Sequence, residues 1–186
     1  MIGIKHSALK QAVVFRTVSL IAAIAFSFCV FSVSSLAQEP DDDAPPPLKQ
    51  LSKDEKQKLE SETDVKGHTL ASLDLMNRRV MNAESLNSSR HYDEMYKELG
   101  GFNALMDAAL KFLTHQDKDS GKVLNSFKRL DLGLRTFLPR LEIIRRDLPP
   151  QYEPYVKTLM KFINEAREKS LAPLFGNTVL REKPKH

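Results

Sequence analysis

The stretch from Val123 to Leu148 constrains the fold of this chain most strongly. Large apolar residues recur there at alternating spacings of four and three, which places them on one side of an α-helix: Val123, Phe127, Leu130, Leu134, Phe137, Leu141, Ile144 and Leu148. Such a helix is only marginally stable in water until other apolar surfaces cover the stripe. The rest of the chain must therefore supply those surfaces.

Three further segments carry the same helical periodicity. Their stripes are Thr69, Leu73, Met76, Val80 and Ala83; then Tyr92, Met95, Leu99, Phe102, Met106, Ala109 and Leu113; and finally Tyr152, Val156, Leu159, Ile163 and Ala166. The first belongs to a predicted long helix over 52–86, which starts at a capping box formed by Ser52 and Glu55 and bends or breaks near Gly67. The last is predicted to run from about Pro150 to Leu171 and to stop at Pro173.

These four stripes predict an all-α fold, because no run of alternating apolar residues reads as a strand. The expected architecture is an antiparallel four-helix bundle or two packed helical hairpins. The alternative is an elongated coiled coil that oligomerises through Val123–Leu148. We favour a monomer, since the matching stripes lie in the same chain.

Two features inside the predicted helices require a packing explanation. Gly100 and Gly101 lie in the middle of the second long helix, where they indicate that a neighbouring segment packs close against it. Pro139 lies off the apolar stripe of Val123–Leu148, so its missing amide donor predicts a kink rather than a broken core.

Residues 1–37 resemble a secretory signal peptide in their pattern. Lys5, Lys10 and Arg16 precede an apolar run over 18–33, and Ser35-Leu36-Ala37 provides a cleavage site after Ala37. The chain is then exported, with no stable membrane span after cleavage. The alternative is an N-terminal membrane anchor that holds the helical domain outside the cytoplasm, because residues 17–37 contain no charge.

Removing residues 1–37 changes the charge argument. The whole chain has 28 basic and 24 acidic residues, and three of the basic residues lie in this segment, which leaves 25 against 24. A nearly neutral mature chain argues against nucleic-acid binding. The one cysteine, Cys29, is also removed, so the mature chain has no disulfide and no thiolate metal site.

The remaining chain divides into three parts. Residues 38–50 are rich in proline and aspartate and predict a disordered linker. Residues 51–175 form the predicted helical domain, and residues 176–186 form a flexible basic tail. The expected location is the bacterial periplasm or the outside of the cell.

Candidate sites are few. His91, Glu94 and Glu98 share one helical face and are the best metal candidates, but we favour the alternative that they mark an exposed helix start, where acidic residues complement the positive end of the helix dipole. No nucleophile, cofactor or haem-attachment motif stands out, and we expect no catalytic residue and no cofactor.

The charge along Val123–Leu148 is uneven. Between 122 and 146 the chain has seven basic residues against Asp131 and Glu142. The possible anion or partner face is Lys128, Arg135, Arg140, Arg145 and Arg146. The alternative is internal balance by the acidic residues at the start of the first helix, between 54 and 64.

The predicted function is a non-enzymatic interaction or scaffold module that is exported by a bacterium. Its partner is an unidentified protein or an anionic component of the cell envelope. The alternative function is a bundle that binds a cation, a small apolar ligand or haem in its interior.

Overall fold

The computed structural model describes residues 43–117 and 120–175, and these ranges contain five α-helices and no β-strand. The helices are α1 (Lys53–Ser61), α2 (Val65–Ser88), α3 (Tyr92–Thr114), α4 (Gly121–Asp147) and α5 (Glu153–Phe175), with a 3₁₀ turn over Pro150–Tyr152. The all-α prediction is confirmed. The predicted signal peptide, residues 38–42 of the linker and the tail 176–186 lie outside the described residues.

The first predicted helix is two helices, and the break predicted near Gly67 lies at 62–64, just before the start of the second one. Ser52 and Glu55 form the predicted capping box of α1, with Ser52 Oγ accepting from the Glu55 amide at 3.1 Å. The chain leaves α1 after Ser61, and Asp64 caps α2 by accepting from the Gly67 amide at 3.0 Å. Gly67 therefore lies in the first turn of α2, where this aspartate satisfies its otherwise free amide.

The predicted apolar stripes form the core. Along α4, seven of the eight predicted residues are buried, and Leu148 is partly buried at the end of the helix. The fully buried side chains from the other helices include Met76, Met95, Leu99, Phe102, Val156, Leu159 and Ile163. Periodicity therefore located the core correctly.

The helices pack in pairs. α2 packs against α3 and α4, α4 packs against α5, and α3 makes a smaller contact with α5. The ring of His68 at the start of α2 stacks on Phe112 at the end of α3, so these two helices are antiparallel. In contrast, Leu73 lies against Gly133 and Glu84 binds Arg140, so α2 and α4 run in the same direction.

The two adjacent glycines in α3 allow close packing, as predicted. A Cβ on Gly100 would lie 2.5 Å from the Leu48 carbonyl oxygen, and one on Gly101 would lie 2.7 Å from Arg79 Cζ. Gly100 therefore accommodates the backbone of the segment that precedes α1.

Two prolines lie beyond the first turn of their helices. α4 runs from Gly121 to Asp147 through Pro139, and α5 continues through Pro173 to Phe175. The prediction that α5 stops at Pro173 is therefore wrong. A proline this near a helix end removes only one backbone hydrogen bond, which the packing of the preceding turns tolerates.

Residues 43–50 form neither helix nor strand and contact the helices, unlike the free spacer expected from their composition. The Ala44 amide donates to the Gln151 carbonyl at 2.8 Å. Lys49 Nζ lies 3.0 Å from an Asp107 oxygen and 5.1 Å from the centre of the Phe162 ring. These contacts attach the segment to both α3 and α5.

Candidate functional site

The basic face predicted on α4 divides into two parts. In the second part the cations are paired. Arg140 donates from Nε and Nη2 to the two carboxylate oxygens of Glu84, each at 2.6 Å, and from Nη1 to Asn77 at 2.7 Å. The hydrogen bond from Arg140 to Glu84 raises the pKa of this arginine. Arg140 is therefore part of the α2–α4 contact and is not a free binding group.

Arg145 and Arg146 are also paired. Both donate to Glu142, at 2.8 Å and 3.0 Å, and Arg145 also contacts Glu153 at the start of α5. The hydrogen bonds from Arg145 and then Arg146 lower the pKa of Glu142 to about 2. Internal balance thus describes this part of the helix.

The acidic partners differ from those expected. If the basic residues of α4 were neutralised inside the fold, we expected the acidic residues between 54 and 64 to do so. Glu84, Glu142 and Glu153 neutralise them instead. In α1, Glu55 instead binds Arg79 of α2, with both of its oxygens 2.7 Å from the guanidinium. Burial works to raise the pKa of Glu55, yet its hydrogen bonds with Arg79 and Ser52 outweigh burial and lower that pKa.

The first part of α4 is different. Lys122, Lys128, Arg129 and Arg135 make no ion pair or side-chain hydrogen bond with any residue that the structure describes. The acid in this part, Asp131, faces α5 and accepts from Arg167 Nε at 2.9 Å. Its charge is therefore used inside the fold and does not neutralise these cations.

Three of these cations line a groove between the start of α2 and the first part of α4. The groove has a volume of about 580 Å³, and its basic residues are Lys66, Lys122, Lys128 and Arg129. Asn125, Ser126 and Leu132 complete the α4 side. We call this feature the basic groove. Its one acidic residue, Asp64, is occupied as the cap of α2.

Ser126 is a buried polar residue behind the wall of the basic groove. The residue is 0% exposed, and its Oγ has no hydrogen-bond partner among the described residues. A buried hydroxyl without a partner costs free energy, typically on the order of 1–3 kcal/mol. The hydroxyl itself has no solvent-accessible surface, so a group bound in the basic groove does not reach it in this conformation.

The predicted metal candidates do not converge. Glu98 accepts from Arg79 Nη1 at 3.1 Å and from Asn82 at 3.2 Å. His91 is exposed just before α3, and Glu94 is exposed in its first turn. Across 43–117 and 120–175, no group of three or more histidine, cysteine, aspartate or glutamate side chains is arranged to hold a metal ion.

Sequence reasoning missed a second groove, which lies beside a cluster of tyrosine rings that contact one another. Tyr96 and Tyr152 line it together with the prolines of 45–47, and its volume is about 900 Å³. Tyr96 donates to the Tyr152 carbonyl at 2.9 Å, and burial raises the pKa of Tyr96 to about 12. The repeated tyrosine pairs near the starts of α3 and α5 were the available signal.

No described helix is both long and apolar enough to cross a lipid bilayer. Comparisons with protein-family models, with curated proteins and with solved structures found no match to this chain. The basic groove is therefore interpreted from its own chemistry.

Proposed function

We propose that the helical domain is a non-enzymatic interaction module that binds an anionic partner in the basic groove. The observation that supports this most directly is the contrast within α4: the arginines near its end are paired, whereas Lys122, Lys128 and Arg129 converge on the groove without such partners. Cations gathered in a concave site attract anions and raise their local concentration.

One exposed polar side chain in the basic groove suits the same role. Asn125 supplies an amide group that can donate hydrogen bonds to an anion. The groove therefore combines charge attraction with hydrogen bonding.

We also propose an architecture of two helical hairpins, α2–α3 and α4–α5, packed side by side. The shared direction of α2 and α4 supports this arrangement over a bundle in which every neighbour is antiparallel. It makes the outer sides of α2 and α4 one continuous surface that contains the basic groove.

The proposed location is outside the cytoplasm, after export by residues 1–37. The apolar run over 18–33 and the small residues before Gln38 support this. N-terminal sequencing of the exported protein tests it: a chain that begins at Gln38 is expected, and an intact Met1 on a protein recovered outside the cytoplasm would contradict cleavage.

Binding of a soluble polyanion tests the proposed function. We expect the protein to bind polyphosphate at low salt, and the triple substitution Lys122→Glu, Lys128→Glu and Arg129→Glu to weaken binding by roughly tenfold to a hundredfold. Isothermal titration calorimetry measures the dissociation constant.

A matched control has the same change in net charge. Lys111, Lys161 and Lys169 are exposed on α3 and α5 and make no side-chain ion pair with described residues. Their triple substitution to glutamate should leave most of the polyphosphate affinity intact. Equal losses in the two triple variants would show that only net charge matters and that the basic groove is not the site.

A further inference from the structure

We infer that the outer face of α2 and α4 binds an anionic lipid surface, with its cations on the head groups and its exposed apolar side chains in the interface. This inference rests on the proposed function, since it names the anionic partner of the basic groove. It adds the apolar side chains, which a soluble polyanion would not need.

The outward side of α4 alternates cations with apolar residues. Residues at spacings of four, three, four, four and three share one side of a helix: Lys128, Leu132, Arg135, Pro139, Ile143 and Arg146. All six are exposed. The row extends for about 27 Å along the helix at 1.5 Å per residue. It lies opposite the buried stripe, so it is the surface of α4 that a flat partner would meet.

Two pairs of exposed apolar side chains lie at matching positions on α2 and α4. Leu132 and Ile143 are 53% and 63% exposed on α4, and Leu70 and Met81 are 45% and 55% exposed on α2. Within each pair the residues are 11 apart in sequence, which is about three turns or 16 Å. Because α2 and α4 run in the same direction, the two pairs form the corners of one surface.

The position of the α2 pair relative to α4 follows from its neighbours. Leu73, Asn77 and Glu84 of α2 contact Gly133 or Arg140 of α4. Leu70 and Met81 lie three or four residues from these positions and are exposed, so they flank the α2–α4 contact on its solvent side. The apolar corners and the basic groove therefore belong to the same outer face.

Most of the acids on or beside this face are already engaged, and the exception is Asp147 at the end of α4, which is exposed and has no ion pair with a described residue. Asp64 caps α2, Asp74 lies 2.7 Å from Arg78, and Glu142 binds Arg145 and Arg146. Glu84 binds Arg140. The free cations on the face outnumber this one free acid, so the net charge that remains is positive and complements an anionic lipid surface.

The spacing of the apolar residues favours lipid over a protein partner. The centre of a protein interface is depleted in charge and gathers its anchors into one cluster. Here the apolar side chains are separated by cations and lie about 16 Å apart along each helix. A fluid head-group layer accepts such separated side chains by shallow insertion and requires no matching shape.

A single tryptophan tests insertion, because the chain contains none. We propose Leu132→Trp and Ile143→Trp in the full chain, mixed with vesicles of equal parts phosphatidylglycerol and phosphatidylcholine. The tryptophan emission should shift to shorter wavelength and should be quenched by lipids with brominated acyl chains. Lys161→Trp, on α5, is the control that should show neither change and also accounts for any insertion by residues 1–37.

Two further comparisons determine what drives binding. Adding Lys122→Glu, Lys128→Glu and Arg129→Glu to Leu132→Trp should lower vesicle binding by on the order of a hundredfold. Vesicles of pure phosphatidylcholine should give a much smaller emission shift than the mixed vesicles. Equal shifts with the two lipid compositions would overturn recognition of anionic lipid.

The outcomes separate this inference from the proposed function. Polyphosphate binding without a tryptophan shift on vesicles would overturn the lipid inference and leave the proposed function supported. If neither polyphosphate binding nor the tryptophan shift were observed, both the proposed function and the lipid inference would be overturned. A shift in Leu132→Trp and Ile143→Trp that is absent in Lys161→Trp would support lipid as the partner, and an equal shift in all three would contradict it.

Discussion

The two halves of α4 have similar basic composition and different surroundings. The half before Thr136 contains Lys122, Lys128, Arg129 and Arg135, and the half after it contains Arg140, Arg145 and Arg146. The fold places Glu84 and Glu153 beside the second half, whereas Asp131 of the first half faces Arg167 on α5. A surplus of basic residues in the sequence forms a positively charged surface only where the fold places no acidic side chain beside them.

This difference assigns separate roles to residues of one type. Arg140 joins α2 to α4 and belongs to the stability of the domain. Lys128 and Arg129 have no described partner, so the fold does not depend on their charge. Stability and the binding of a soluble anion should therefore respond to charged residues in different halves of the helix.

The largest effect on stability is expected from Arg140→Met. The substitution keeps an apolar stem but leaves Glu84 and Asn77 without their donor, and it should lower the free energy of unfolding by about 1–2 kcal/mol. Urea denaturation followed by circular dichroism measures this. The matched substitution Lys128→Met in the first half should change stability by less than about 0.5 kcal/mol. Equal losses would contradict the division of α4 into two roles.

A smaller effect on stability is expected when the pH is lowered, and it should arise in the second half of α4 and not in the first. The pKa of Glu142 is lowered from its ordinary value of 4.5 to about 2 by Arg145 and Arg146. Its contribution to stability is therefore present above pH 4.5 and is lost as the pH falls toward 2. Glu142→Gln should make the loss of stability over this interval shallower.

The first half provides the control for this acid response. Lysine and arginine stay protonated across the same interval, so Lys128→Gln should leave the pH dependence of stability unchanged. Glu55, whose pKa is also lowered, contributes an acid response from α1 in both backgrounds. An unchanged pH profile in Glu142→Gln would contradict the ion pairs assigned to the end of α4.

Periodic features of the fold were predictable from the sequence. The burial of Phe127, Leu134 and Leu141 follows from spacing along one helix, and the Ser52–Glu55 capping box follows from a local motif. Gly100 was also recognised as a place where another segment packs close. These features depend on residues that are neighbours in sequence.

Features that depend on distant residues were not predictable in the same way. Arg140 and its partner Glu84 are 56 residues apart, and no local pattern identifies that pair. Lys66 joins the basic groove only because α2 and α4 run in the same direction. The composition of the Pro-rich segment 43–50 predicts a linker. Its contacts with Asp107 and Gln151 could not be predicted, because they depend on where the helices place those residues.

The candidate site was therefore predicted in part. Lys128 of the predicted face lines the basic groove, and Arg135 lies exposed just beyond it. Arg140, Arg145 and Arg146 were assigned to the same face, but the structure shows them paired. The partner of Arg140 and one partner of Arg145 lie on other helices, and Glu142 of the same helix pairs with Arg145 and Arg146. No sequence pattern identifies Ser126, because its burial and its missing hydrogen-bond partner are visible only in the structure.

An amide chemical-shift titration tests the central claim, that the free half of α4 is the binding surface, most directly. With polyphosphate added to the ¹⁵N-labelled protein, we expect the largest shifts at Lys66 and along 122–132, with small shifts along 140–147. Shifts centred on 140–147, on the tyrosine-lined groove, or on no particular surface would contradict the account.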